Sequence, residues 1–294
     1  MERAARRGPL VSATAARTSA GLSLPAGAPP THPRCILYGV SDDVVTRLAR
    51  PNHRDLRFKI FPRFDRPEWQ RFANLRHRYL GNPADPFPGD GVPDRLGRAL
   101  VERKAIVLKE ILESFELYAR VRRRVRRPVM ADLCCGHGLT GLVFALCERS
   151  VERVLLIDEV KPDSYDLVFD AAREVGPWVA DKVSFLERPL DLLEQESVVP
   201  EGAGVLVVHG CGALTDLGLG VGISVRGPIA AMPCCYRIAP PIALRGLRDA
   251  LGKTLATDIA RTYRLVEAGY HVDWAWIPSA VTPMNRILVA WNPP

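Results

Sequence analysis

Lysine is scarce in this chain: six of its forty basic residues, the other thirty-four being arginine. Such a skew reflects codon composition before it reflects chemistry. Cysteines number seven, an odd count, and no two stand in C-x-x-C spacing, so neither a disulfide framework nor a finger-type zinc site is indicated. A reducing cytoplasm is the expected setting. A metal site would need Cys134, His137, His209, Cys211, Cys234 and Cys235 to converge from separate strand ends, and none is expected. Long apolar runs are missing too. "GVLVVHGCGAL" and "RILVAW" fall short of the roughly 20 residues that a membrane-crossing helix requires, so no membrane partner is expected. The first 33 residues, rich in Ala, Arg, Ser, Pro and Gly, hold no apolar core of a secretory signal and read as a disordered tail or a transit-like leader.

What is present is an ordinary globular composition, 47% hydrophobic and 25% charged over 294 residues. Charge is unevenly spread. Residues 1–130 carry 26 basic against 13 acidic side chains, whereas residues 131–294 carry 14 against 20. The densest run, "ARVRRRVRR", contains Arg122, Arg123, Arg124, Arg126 and Arg127. It reads equally as a solvated helix end, whose cations suit the negative pole of the dipole, and as a phosphate-contacting patch for RNA.

After the tail of residues 1–33 comes a Pro- and Arg-rich accessory segment, 34–98, with a short strand at "RCILYGV" and one short helix expected between Pro67 and Leu80. The main domain is read as 99–294. Its first element is a helix over Leu100–Arg120, where apolar residues recur three and four apart without Gly or Pro. Strands and helices then alternate: "PVMADLCC", "LTGLVFALCER", "VERVLLIDEV", "SYDLVFDAAREVG", "KVSFLERPL", "GVLVVHG" and "GPIAAMPCCY". Helical sequence broken near Gly252 precedes two closing strands, "YHVDWAWI" and "NRILVAW", joined by a short connection. This order predicts an α/β fold, a doubly wound, Rossmann-like seven-stranded sheet with right-handed crossovers and an antiparallel last strand.

The stretch "ADLCCGHGLTG" stands between the first strand and its helix. Gly136, Gly138 and Gly141 spell G-x-G-x-x-G, and Asp158-Glu159 follows at the end of the next strand, as a dinucleotide site would have it. Asp132 argues otherwise. A carboxylate just below the loop opposes a pyrophosphate but suits the ammonium and sulfonium of S-adenosylmethionine. Asp158 would accept ribose hydroxyls with either cofactor, and Asp191, after the third strand, falls near the base.

"DLCCGHG" resembles motif I of class I S-adenosylmethionine-dependent methyltransferases, with Cys134 where the first glycine is usual. "HGCGALTD" and "MPCCY" resemble signatures of the methyltransferase-domain family that includes the acceptor-stem tRNA 2′-O-methyltransferase and the glutathione-S-transferase C-terminal-domain-containing protein. The resemblance implies S-adenosylmethionine held by Asp132, Cys134, Gly136, His137, Gly138, Asp158, Glu159, Asp191 and His209. Catalytic candidates are His209, Asp216, Cys211, Cys234, Cys235 and Tyr236, all at the carboxyl ends of strands. His209 is the candidate base, with Asp216 orienting it or the acceptor. Cys211 with Cys234 or Cys235 also occupies places comparable to the paired thiols of RNA 5-methylcytosine enzymes, although the flanking residues do not match. The expected activity is methyl transfer to RNA, tRNA or rRNA. The alternatives are a catalytically silent RNA- or protein-binding module, and a methyltransferase acting on protein or small molecules.

Overall fold

A computed structural model of the chain describes residues 56–193, 197–237 and 241–292. Residues 1–33, expected as a disordered tail or transit-like leader, and the strand expected at "RCILYGV" lie outside the described residues. Seven strands, β1 (Val129–Leu133), β2 (Arg153–Asp158), β3 (Val183–Glu187), β4 (Gly204–Val208), β5 (Ile229–Met232), β6 (His271–Trp276) and β7 (Arg286–Trp291), form one sheet in the order β3-β2-β1-β4-β5-β7-β6. Strands β1 to β5 pair in parallel, and β7 runs antiparallel to both β5 and β6. This is the doubly wound, Rossmann-like seven-stranded sheet with an antiparallel last strand that the alternation of elements predicted. The order reverses between β1 and β4, where the chain leaves β1 towards β2 and β4 towards β5 on the opposite side, the place where such sheets leave a crevice beyond their strand ends.

Packing fixes the elements. β4 and β5 are buried along their whole length, and apolar side chains from the two sheet faces form two separate clusters, one including Leu156, Leu206 and Val289, the other Leu155, Val207 and Leu288. The first expected helix is in fact two, α1 (Val92–Glu102) and α2 (Leu108–Val125), separated by a turn in which Lys104 adopts φ 51°. The accessory boundary at residue 98 therefore falls inside α1. Helices α3 (Leu139–Cys147), α4 (Ser164–Val175), α6 (Arg245–Leu251) and α7 (Lys253–Glu267) stand where the apolar periodicity placed them. Helix α5 (Ala213–Ser224), between β4 and β5, was not anticipated, because "ALTDLGLGVGIS" carries interior glycines that lower helix propensity. They permit close approach to the sheet: a Cβ on Gly218 would lie 2.7 Å from Val207, and one on Gly222 2.5 Å from Ile229.

Among its described residues before α1, 56–91, the Pro-rich segment is irregular, as its composition requires, with a 3₁₀ turn at Pro62–Asp65 and a helical turn at Pro67–Gln70. It nevertheless shares the main core. Phe61 packs edge-on against Phe87 and Phe115, with centroids 5.0 and 5.3 Å away. The buried Glu116 of α2 accepts the N–H groups of Lys59 and Ile60 at 3.0 and 2.9 Å and pairs with Arg120, so the segment is clasped by a carboxylate from the helix it covers.

If the segment and the sheet are one cooperative unit, Phe61→Ala should lower stability by about 3–5 kcal/mol in a single transition. Urea unfolding followed by near- and far-UV circular dichroism tests this; an early, separate transition in the variant would show that the segment folds on its own.

Candidate active site

Asp132 is the penultimate residue of β1, beneath the glycine loop, and is 1% exposed. Its Oδ2 accepts the Gly141 N–H at 2.8 Å, which ties the strand to the first turn of α3. Its Oδ1 has no partner among the described residues. Burial pushes the carboxyl up to about 7, despite the opposing pull of the Gly141 amide and of His137. The loop above it climbs through Cys134, Gly136 and Gly138 at φ 55°, 52° and 74°. Gly136 donates its N–H to Asp158 at 2.7 Å, and a Cβ at this position would meet nothing within 4 Å, so its backbone borders open space. Asp158, at the end of β2, also accepts the Glu159 N–H at 2.8 Å.

Two cavities meet over this loop. One, of about 360 Å³, is lined by Lys109, Glu110, Glu113, Ser114, Asp132, Cys135, Gly136, His137 and Thr140. The other, of about 710 Å³, is lined by Asp158, Glu159, Arg188, Leu190, Asp191, Leu192 and Cys211. Cys134 and His209 belong to both, so they form the divide of one elongated cleft.

His209 follows β4 at φ 61°, and its Nε2 lies 3.0 Å from Oε2 of Glu113. Glu113, only 2% exposed, is held on its other oxygen by Lys109 at 2.5 Å. One turn earlier on α2, Glu110 stands 3.5 Å from Nε2 of His137; burial pushes its carboxyl up, but the hydrogen bond and charge of His137 leave it below the usual range. The His137 Nδ1 accepts the Leu139 N–H at 3.2 Å, fixing that ring at the start of α3. Glu110 and Glu113 did not emerge from the sequence as site residues. The signal was present: Glu113 is a charge amid the apolar stripe of α2, beside Leu112 and near Ile111 and Phe115.

Not every candidate reaches the cleft. Asp216 is not brought to His209: both its oxygens engage Arg261, at 3.0 and 2.9 Å, because that fully buried guanidinium requires carboxylate partners. Tyr236 donates its hydroxyl to buried Asp258 at 2.8 Å, which also pairs with Arg261 and Arg286. These groups pin α7. The carboxylate that stands beside His209 is Glu113, where Asp216 was expected. Cys211, Cys234 and Cys235 do gather at the cleft rim, with Sγ of Cys211 and Cys234 3.2 Å apart. The arginine run lies at the opposite end of the sheet, before the N-terminus of β1. There Arg122 and Arg126 hold Glu148 at 2.5 Å each, and Arg124 stacks 4.1 Å over Trp291.

No family model matches the chain, and no curated protein does. Among solved structures, the cyclase SpnF is 15% identical over 63% of this chain and 82% of its own, with a TM-score of 0.40. The 16S rRNA (adenine(1408)-N(1))-methyltransferase of Catenulisporales acidiphilia is 19% identical over 60% and 88%, at 0.34. The magnesium protoporphyrin IX methyltransferase of Synechocystis, with bound SAH, is 12% identical over 72% and 93%, at 0.33.

A raised Asp132 has a measurable consequence. Between an ordinary aspartate value near ~3.9 and about 7, the folded protein keeps a proton that the unfolded chain has released, so stability falls as pH rises through this window. Going from pH 4 to pH 8, the stability of ligand-free Asp132→Asn relative to the parent should therefore rise by a margin on the order of 4 kcal/mol. Paired denaturation curves at the two pH values measure it, and equal margins would contradict the assignment.

Proposed function

We propose that the chain is an S-adenosylmethionine-dependent methyltransferase. The observation that carries this reading is the unpaired Oδ1 of Asp132 on the cavity floor, a buried acceptor for which a ligand's ammonium is the fitting partner. The rest of the cleft fits the same molecule. Gly136 lets a ligand approach the backbone, Asp158 and Glu159 offer carboxylates for ribose hydroxyls, and Asp191 beside Leu190 and Leu192 suits the polar edge and face of adenine. When bound, the cofactor supplies a sulfonium-activated methyl group.

The chain's own task is then alignment and proton removal. Cys134 and His209 sit at the divide of the cleft, where the reacting groups would meet. His209 takes the proton of the acceptor, while Glu113 orients the imidazole and stabilises its charged form. Lys109 in turn holds Glu113.

Calorimetry with the purified chain tests binding. Gly136→Val, whose side chain enters open space, should keep the fold within ~1–3 kcal/mol of the parent yet abolish cofactor binding. Glu113→Gln and His209→Gln should bind the cofactor within a few-fold but lose about 10²–10⁴ in turnover. Failure of the parent to bind millimolar cofactor would sink the reading, whereas binding without transfer to any RNA, protein or metabolite pool would leave a silent binding module.

For the acceptor we propose RNA. Support comes from the basic excess of residues 1–130 and from the likeness of the "HGCGALTD" and "MPCCY" signatures. Because the arginine run is remote from the cleft, it would grip phosphates away from the reacting nucleotide. Replacing Arg122, Arg123, Arg124, Arg126 and Arg127 by serine should weaken RNA binding and flatten its salt dependence by roughly 0.7–0.9 log–log units per lost contact. Tritium from labelled cofactor appearing only in protein or small molecules would exclude an RNA acceptor.

A further inference from the structure

Three thiols that arrive from two strand ends meet at the rim of the cleft. Cys211 follows β4, Cys234 and Cys235 follow β5, and their three sulfurs all lie within 4.8 Å of one another. We propose that Cys211, Cys234 and Cys235 form a binding site for a thiophilic divalent cation of the zinc type, with a fourth coordination position facing the cleft.

Geometry supports this first. Zinc–thiolate bonds of ~2.3 Å in a tetrahedron place sulfurs roughly 3.8 Å apart. The cluster, with 3.2 Å between Cys211 and Cys234 and no sulfur pair beyond 4.8 Å, brackets that spacing without backbone movement.

The surroundings support it independently. Cysteines that serve as small hydrophobes are buried, yet Cys211 is exposed and the other two only half-buried, away from both apolar clusters. The sulfur of Cys235 instead accepts the Gly212 N–H at 3.1 Å. Gly212 sits at φ 60°, and a Cβ there would come 2.7 Å from the Arg237 carbonyl oxygen. Only glycine thus lets the amide reach the sulfur, an arrangement that stabilises a charged thiolate and orients it, as outer contacts of metal ligands do. Cys234 adds a 3.6 Å contact to the His209 carbonyl, which couples the cluster to the loop of the candidate base.

Binding is a ligand exchange without change of oxidation state: the ion loses water, each thiol bonds through sulfur, and its proton leaves to solvent. Three protein ligands leave one position for water or for a nitrogen, oxygen or sulfur donor of a bound molecule. Cys211 lines the same cavity as Asp158 and Asp191, so that position borders the proposed cofactor and acceptor space.

The test needs neither cofactor nor acceptor. The full chain, reduced and stripped under nitrogen, is titrated with cobalt(II) and then zinc(II). One equivalent of cobalt should give thiolate charge-transfer absorption that zinc abolishes. Cys211→Ser, Cys234→Ser and Cys235→Ser should each weaken zinc binding by about tenfold or more, and Gly212→Ala by a smaller factor, whereas Cys147→Ser on α3 should not change it. Absence of the absorption, or its survival in the three serine variants, would overturn the proposal. So would a reduced protein that ignores cobalt while air exposure links Cys211 to Cys234, an outcome that would mark a redox pair instead.

Discussion

A carboxylate buried beneath a loop is the constraint from which the cleft follows. Removing Asp132 from water costs several kcal/mol unless its charge is met. The chain meets it only halfway, with the Gly141 amide on one oxygen and, near neutral pH, a proton shared with solution. That bond fixes where α3 begins relative to β1. The loop between them then has little freedom, because Gly136 is tied to Asp158 on the neighbouring strand. Two carboxylates therefore hold the loop open from below and from the side, and the oxygen left over points to where a cation would relieve the strain of burial.

Helix α2 carries a second constraint along its length. Near its start, Glu113 reaches the cleft and meets His209; one turn on, Glu116 clasps the N-terminal segment; towards its end, Arg122 and Tyr118 meet Glu148. A helix that must bury two carboxylates on one face needs both satisfied, and each draws one partner from its own helix, Lys109 or Arg120, and another from a distant part of the chain. The irregular segment thus has a structural task that composition does not suggest. By packing Phe61 against both Phe87 and Phe115, it holds α2 in the position that aims Glu113 at His209.

This explains which features were legible in the sequence. The sheet was readable because apolar strands and amphipathic helices alternate at their own periods, and the motif around Asp132 because its members are near neighbours in sequence. Partners separated by long stretches were not. Glu113 lies 96 residues from His209, whereas Asp216 lies only seven residues away and yet turns to Arg261. Helix α5 was hidden by glycines that serve packing, and the break between α1 and α2 by a Lys104 turn that no glycine or proline announces.

The electrostatics of the cleft bear on which ligand chemistry the fold can host. Although the chain is basic overall, its two cavities are lined by Glu110, Glu113, Asp132, Asp158, Glu159 and Asp191, against Lys109 and Arg188, and Lys109 is already engaged by Glu113. In a partly enclosed space such an excess of carboxylates repels a pyrophosphate and attracts an ammonium or sulfonium. A dinucleotide would face repulsion along its most charged part, despite glycine spacing that would otherwise suit it. The same field bears on a polyanionic acceptor. Were the acceptor the RNA proposed above, its phosphates would stay outside the cleft and only an uncharged base or ribose edge would enter without cost, so the charge pattern would separate grip from chemistry.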